Sequence, residues 1–192
     1  RKQSFEEVVE DIFLFINERV DLKDEQDEYA LMGHSMGALL TYELYYRIEQ
    51  EKLRLPQYMI MSAINLPSQF SCENVLKMNM TEFEEYILSM GGFPKGILEN
   101  ETNKKMIIDG IYCDYCILGS YKYRKHQKLI ECDSYILCGS KDNIVEEIEV
   151  SKWGEFFINP VKQIKIKGGH FFIIDSFQTT MNVIKQINLK RL

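Results

Sequence analysis

The stretch that most constrains this chain runs from Tyr29 to Leu40. A short apolar run, Tyr29 to Met32, ends in Gly33-His34-Ser35-Met36-Gly37, and helix-forming residues follow at once. Strand, sharp turn and helix are the setting in which G-x-S-x-G becomes a nucleophile elbow. A serine hydroxyl is a weak nucleophile and must be lifted out of a sheet toward a base. The turn that lifts it crowds the backbone, which predicts that both Gly33 and Gly37 are there for want of a side chain. A bare G-x-S-x-G arises by chance in roughly one chain in twenty of this size. Its weight therefore depends on two later partners.

At 192 residues the chain has the length of one domain, 1–192, with room for a sizeable core. Hydrophobic residues make up 45% and charged residues 27%, as in a soluble globular protein. A net charge of −6 argues against a nucleic-acid partner. No apolar run reaches membrane-spanning length, and the first residues lack the apolar stretch of a signal peptide. Five cysteines at irregular spacing suit free thiols in a reducing cytoplasm. Cys113 and Cys116 have no second pair to complete a zinc site, so they are expected to be buried structural thiols. No metal is expected.

Apolar residues at 5, 8, 9, 12, 13, 15, 16 and 20 predict a helix, with Ser4 and Glu7 as its capping box. Asp21 to Glu28 is a charged linker. Gly37 to about Lys52 is the helix behind the nucleophile, and Tyr58 to Ala63 is the next buried strand. This α, β, α, β order predicts a parallel sheet. Glu73 to Leu118 then has no convincing strand. Thr81-Glu-Phe-Glu reads as a helix cap, Gly91-Gly92-Phe93-Pro94 as a break, and Lys104 to Leu118 as a further helix. A helical insertion over about 74–118 is a natural lid, although it would also serve simply to cover the sheet. Strands are expected at Ser134 to Cys138 and Val161 to Ile166. Helices are expected at Ile144 to Phe157 and Phe177 to Leu189.

Ser35, Asp142 and His170 occur in that order, each just past the C-terminal end of an expected strand, where open α/β sheets build their sites. Serine, acid, histidine is the chain order of the α/β-hydrolase triad. Ser35 would attack a carbonyl carbon, His170 would relay its proton, and Asp142 would orient the imidazole. His34 lies inside the elbow and is expected to be structural. His126 lies in a basic stretch and is expected to be solvated. Asp142 is favoured over Asp133, at the opposite end of its strand, and over Asp175, which reads as an element boundary.

The resemblance becomes specific at Gly33-His34-Ser35-Met36-Gly37-Ala38, Gly91 to Pro94, Gly139-Ser140-Lys141-Asp142, Trp153 and Gly168-Gly169-His170-Phe171-Phe172. Together with Tyr58 to Pro67, these stretches resemble the type II thioesterases of non-ribosomal peptide and polyketide synthesis, from Phe5 to the C-terminus. The resemblance implies an α/β-hydrolase three-layer sandwich with a mainly parallel sheet and a helical lid over the acyl pocket. It also implies hydrolysis of acyl groups held on the phosphopantetheine arm of an acyl or peptidyl carrier protein, clearing aberrant groups or releasing product. No cofactor of the enzyme's own is needed. Ser35, Asp142 and His170 match the family's triad. The Met36 backbone N–H, at the start of the nucleophile helix, would be one oxyanion donor.

One departure stands out. The family's second oxyanion donor comes from a loop after an early strand, whereas only 28 residues precede Tyr29 here. The expectation is an N-terminally truncated fold. The basic run Tyr121 to Lys128 would meet an acidic carrier, or be a solvated loop. A carrier-protein acyltransferase shares Gly-His-Ser-x-Gly but not the Gly-Gly-His-Phe-Phe ending. A non-catalytic carrier- or acyl-binding module, and a general esterase or lipase, stay open as well, since fold does not fix function.

Overall fold

The computed structural model describes residues 3–22, 28–93, 96–145 and 152–189. Helix α1 (Phe5–Asn17) opens with the expected box: the Ser4 hydroxyl accepts from the Glu7 N–H at 3.2 Å, and the Glu7 carboxylate accepts from the Ser4 N–H at 2.8 Å. The charged linker lies largely outside the described residues, as do Pro94 and most of the expected helix after Ile144.

Among the described residues four strands follow, β1 (Ala30–His34), β2 (Tyr58–Ser62), β3 (Asp133–Gly139) and β4 (Lys162–Ile166). They form one sheet in the order β1-β2-β3-β4, every pair parallel. All five residues of β2 are buried, which is why the strand is an unbroken apolar run rather than an alternating one. Side chains alternate between two cores. Met59, Met61, Ile136 and Cys138 face a layer containing α1 and α2 (Met36–Gln50). Tyr58, Ile60, Tyr135 and Leu137 face the opposite layer, which includes Phe172 and Ile187. These belong to a one-turn helix, α6 (Phe172–Asp175), and to the C-terminal helix α7 (Phe177–Leu189). Helix, sheet, helix is the three-layer arrangement that the family resemblance implies, built on the parallel sheet that the sequence pattern predicts. At the β1 edge of the sheet, Met32 stays 41% exposed.

Between β2 and β3 the chain is helical among the described residues: α3 (Glu73–Leu76), α4 (Met80–Ser89) and α5 (Glu101–Leu118). Phe83, Ile87 and Ile108 give these helices a small core of their own, and Lys104 pairs with Glu84 across it at 2.5 Å. The cap of α4 is Asn79, boxed with Glu82, rather than Thr81. An Asn side chain two residues earlier outcompetes Thr because its oxygen reaches both the Thr81 and Glu82 N–H groups. Helix α5 starts before Lys104, with Asn100 as its cap. The described end of the segment expected to be helical from Ile144 to Phe157 is a 3-10 turn, Lys152–Phe156, wedged so that Trp153 is fully buried beside Tyr42 and Phe157.

His126 departs from expectation. Its ring stacks on Tyr46 at 3.5 Å and its Nε2 lies 3.1 Å from Glu43, which also accepts the Tyr121 hydroxyl at 2.8 Å. Lys128 is paired with Glu49 on α2. Tyr121, His126 and Lys128 thus reach partners on α2, while Lys122, Arg124, Lys125 and Lys128 all stay exposed. Replacing Ser4 by Ala removes half of the α1 capping box and is expected to cost about 1 kcal/mol, read as a lower urea midpoint with an unchanged slope.

Candidate active site

The turn after β1 is tight. Ser35 sits at φ 53 and ψ −120, conformational space that a side chain rarely occupies, at a cost on the order of 1–3 kcal/mol. Its N–H is held by the Ser62 carbonyl at 2.7 Å. At Gly33 a Cβ would lie 2.0 Å from the Gly37 carbonyl oxygen and 2.5 Å from the Ala38 nitrogen, so only glycine fits. Gly37 differs from the expectation: a Cβ there meets nothing within 4 Å. The crowding is one-sided, because Gly37 contributes its backbone to the contact and not the site of a missing side chain.

The loops after β3 and β4 are built as a pair. The Ser140 N–H donates to the Ile166 carbonyl and the Lys141 N–H to the Gly168 carbonyl, both at 2.8 Å. A Cβ on Gly139 would stand 2.4 Å from the Gly169 carbonyl oxygen. This backbone contact sets the loop carrying Asp142 against the loop carrying His170.

The structure brings Ser35, Asp142 and His170 together. His170 Nε2 lies 2.9 Å from Ser35 Oγ, and His170 Nδ1 lies 3.0 Å from Asp142 Oδ2. With Nδ1–H donating to the carboxylate, Nε2 is free to accept from the serine hydroxyl. The other Asp142 oxygen accepts the Ile144 and Val145 N–H groups at 2.9 and 3.3 Å. Burial opposes ionisation of Asp142. Its hydrogen bonds from His170, Ile144 and Val145 outweigh burial and hold its pKa below the ordinary carboxylate value. Asp133 begins β3 and takes a hydrogen bond from Asn159, while Asp175 ends α6. Met36 is the first residue of α2, where N–H groups have no partner within the helix.

His34 is drawn into the same neighbourhood. Its Nδ1 lies 2.9 Å from Ser62 Oγ, and its ring centroid is 5.5 Å from that of His170. Burial, helped by the nearby His170, pushes its pKa down to about 4, so it is neutral at pH 7. Beside Ser35 and His170 opens a cavity of about 160 Å³ that reaches Tyr86 and Tyr115 on α4 and α5. Cys72 lines it as a buried free thiol. Its position could have been suspected only from its place just before the insertion. Among the described residues no group of His, Cys, Asp and Glu could hold a metal ion, and no helix is long and apolar enough to cross a membrane.

This geometry can be tested at the elbow and at His34. Gly33→Ala should abolish labelling of Ser35 by a fluorophosphonate, whereas Gly37→Ala should leave the fold intact with an unchanged melting temperature. A His34 pKa lowered in the folded state means that its neutral form contributes stability fully above about pH 6.5. That contribution is lost as pH falls toward about 4. The melting temperature should drop across this window, and the drop should flatten in His34→Gln.

Comparison with known proteins agrees with this architecture. Gramicidin S biosynthesis protein GrsT of Aneurinibacillus migulanus is 27% identical over 164 residues, covering 84% of this chain and 63% of that protein. The probable cadicidin biosynthesis thioesterase of Streptomyces griseus is 27% identical over 157 residues, covering 82% of this chain and 43% of that protein. The chain thus spans less than two thirds of the length of these relatives. The structure of ClbQ from the colibactin NRPS/PKS pathway superposes with a TM-score of 0.85 at 22% identity, covering 95% of this chain and 76% of that one. A family model described as a thioesterase domain matches residues 3–190, and the chain belongs to that family.

Proposed function

We propose that this chain carries the hydrolytic centre of a type II thioesterase, with Ser35 as nucleophile, His170 as general base and acid, and Asp142 as the group that orients His170. The observation that carries this reading is the unbroken hydrogen-bonded line from Ser35 Oγ through the imidazole to Asp142. The gramicidin S protein and the ClbQ structure named above belong to peptide and polyketide assembly pathways, which supports an acyl thioester on a carrier protein as the substrate.

The reaction proceeds in two halves. Ser35 Oγ attacks the thioester carbonyl carbon as His170 Nε2 takes its proton. The carbonyl oxygen gains negative charge and is met by the Met36 N–H, with the positive end of the α2 dipole behind it. The carbon–sulfur bond breaks, the phosphopantetheine thiol leaves with the proton from His170, and an acyl ester remains on Ser35. Water, deprotonated by His170, then attacks that ester and regenerates the serine. The thiolate is a good leaving group, so oxyanion stabilisation is the demanding part. No step of this sequence calls for a cofactor. Helices α3 to α5 act as the lid over the acyl cavity. The exposed Lys122, Arg124 and Lys125 offer a surface for an acidic carrier.

The test is release of acetate from an acetylated, phosphopantetheinylated carrier protein. Ser35→Ala should eliminate turnover, and Asp142→Asn should lower kcat by about 10⁴ through the wrong imidazole tautomer. Turnover that survives Ser35→Ala would overturn the assignment.

A further inference from the structure

We propose that His34 is a positioning residue for the triad: anchored to Ser62 on β2, its ring bears the turn that carries His170 and fixes how His170 meets Ser35. The inference rests on the reading of Ser35 as nucleophile and His170 as its base, and it adds a residue that acts through His170.

Three observations carry it. The first is placement. His34 ends β1, precedes Ser35 directly in the chain, and pairs in register with Ser62 at the end of β2. Its Nδ1 lies 2.9 Å from Ser62 Oγ, and Ser62 is fully buried, so one ring nitrogen is tied to an inner strand of the sheet. The second is contact. Three successive residues of the base-bearing turn meet this one ring: His170 at 5.5 Å, Phe171 at 6.1 Å and Phe172, edge-on, at 5.6 Å between centroids. Phe172 is fully buried, and Phe171 also packs on Gly92, where a Cβ would stand 2.3 Å from the Phe171 Cγ. The turn opens with Gly168, at φ 142, and Gly169, which have no side chains to brace it. Asp142 orients the His170 ring, and His34 is packed against the turn from which that ring projects.

The third observation is charge. His170 becomes positive when it takes the Ser35 proton. A second cation 5.5 Å away would oppose that charge, and His34, buried, is neutral at pH 7. His34 is not among the described residues that line the cavity beside Ser35. It therefore serves the reaction through His170 and not by touching the acyl group.

The experiment compares the wild-type chain with His34→Ala, His34→Gln, Ser62→Ala and the double variant His34→Ala with Ser62→Ala. One readout is the rate of Ser35 labelling by a fluorophosphonate, which needs His170 but no thioester. The other is kcat and KM for the acetyl thioester of N-acetylcysteamine. Melting temperatures report whether each variant folds. Misplacing a base by about 1 Å costs on the order of 10² in rate, so His34→Ala should lower the labelling rate and kcat by ~100-fold, with KM within about threefold. His34→Gln restores bulk and a partner for Ser62, and should regain about tenfold or more of that loss. Ser62→Ala alone should slow both steps, and the double variant should be no slower than His34→Ala, because Ser62 acts only through the ring. Labelling and kcat unchanged in a folded His34→Ala, a loss confined to KM, or losses that multiply in the double variant would each overturn the proposal. If His34→Ala does not fold, Ser62→Ala decides, and an unchanged labelling rate there overturns it. If wild-type Ser35 is labelled but the thioester is not hydrolysed, the thioesterase reading falls and the labelling rates alone decide this proposal. If wild-type Ser35 is not labelled, both fall.

Discussion

The structure depends on one close backbone approach. Gly33 lies so near the Gly37 carbonyl that the chain reverses from strand to helix within a single residue. That residue is Ser35, which bears the positive φ and is pinned by the Ser62 carbonyl of the neighbouring strand. The strain is local and modest, and the surrounding sheet holds it in place. Its effect is to set a hydroxyl at the C-terminal edge of a parallel sheet, at the start of a helix whose dipole favours negative charge. A second close approach, Gly139 against the Gly169 carbonyl, locks the two loops that bring Asp142 and His170 to the same edge. Two backbone contacts thus hold three side chains from three distant parts of the chain.

The electrostatics support that geometry. Asp142 stays ionised although buried, because every lone-pair direction in use is met by an N–H. His34, only one residue from Ser35, stays neutral because burial disfavours its charge. One imidazole near Ser35 is paired with a carboxylate and the neighbouring one is not, so the two histidines have different environments at a separation of 5.5 Å.

Much of this was legible from residue order. The elbow pattern, the apolar run of β2 and the Ser4–Glu7 box rest on local chemistry, and the structure carries each of them. So does the parallel α/β layering, which follows from strands and helices that alternate. The departures come from tertiary choices. Thr81 and Asn79 are both acceptable caps, and only the fold decides between them. His126 looks solvated among lysines, yet Tyr46 offers it a stacking surface and Glu43 a partner, from a helix far earlier in the chain. The Trp153 segment has helical spacing but closes as a 3-10 turn, because burying the indole against Tyr42 and Phe157 sets its path. Gly37 matches a motif without meeting the steric demand attributed to it. The cavity walls were not legible, since Phe70, Cys72, Tyr86 and Tyr115 meet only in three dimensions.

The central claim is that acyl transfer passes through Ser35 and not through the neighbouring Cys72 thiol, which lines the same cavity. The most direct measurement is rapid-quench mass spectrometry of the protein after mixing with a butyryl-loaded carrier, followed by peptide mapping. The account predicts a transient butyryl mass on the peptide containing Ser35, formed and lost at rates consistent with turnover. An acyl group on Cys72, or turnover with no acylated Ser35 at any time point, would contradict it.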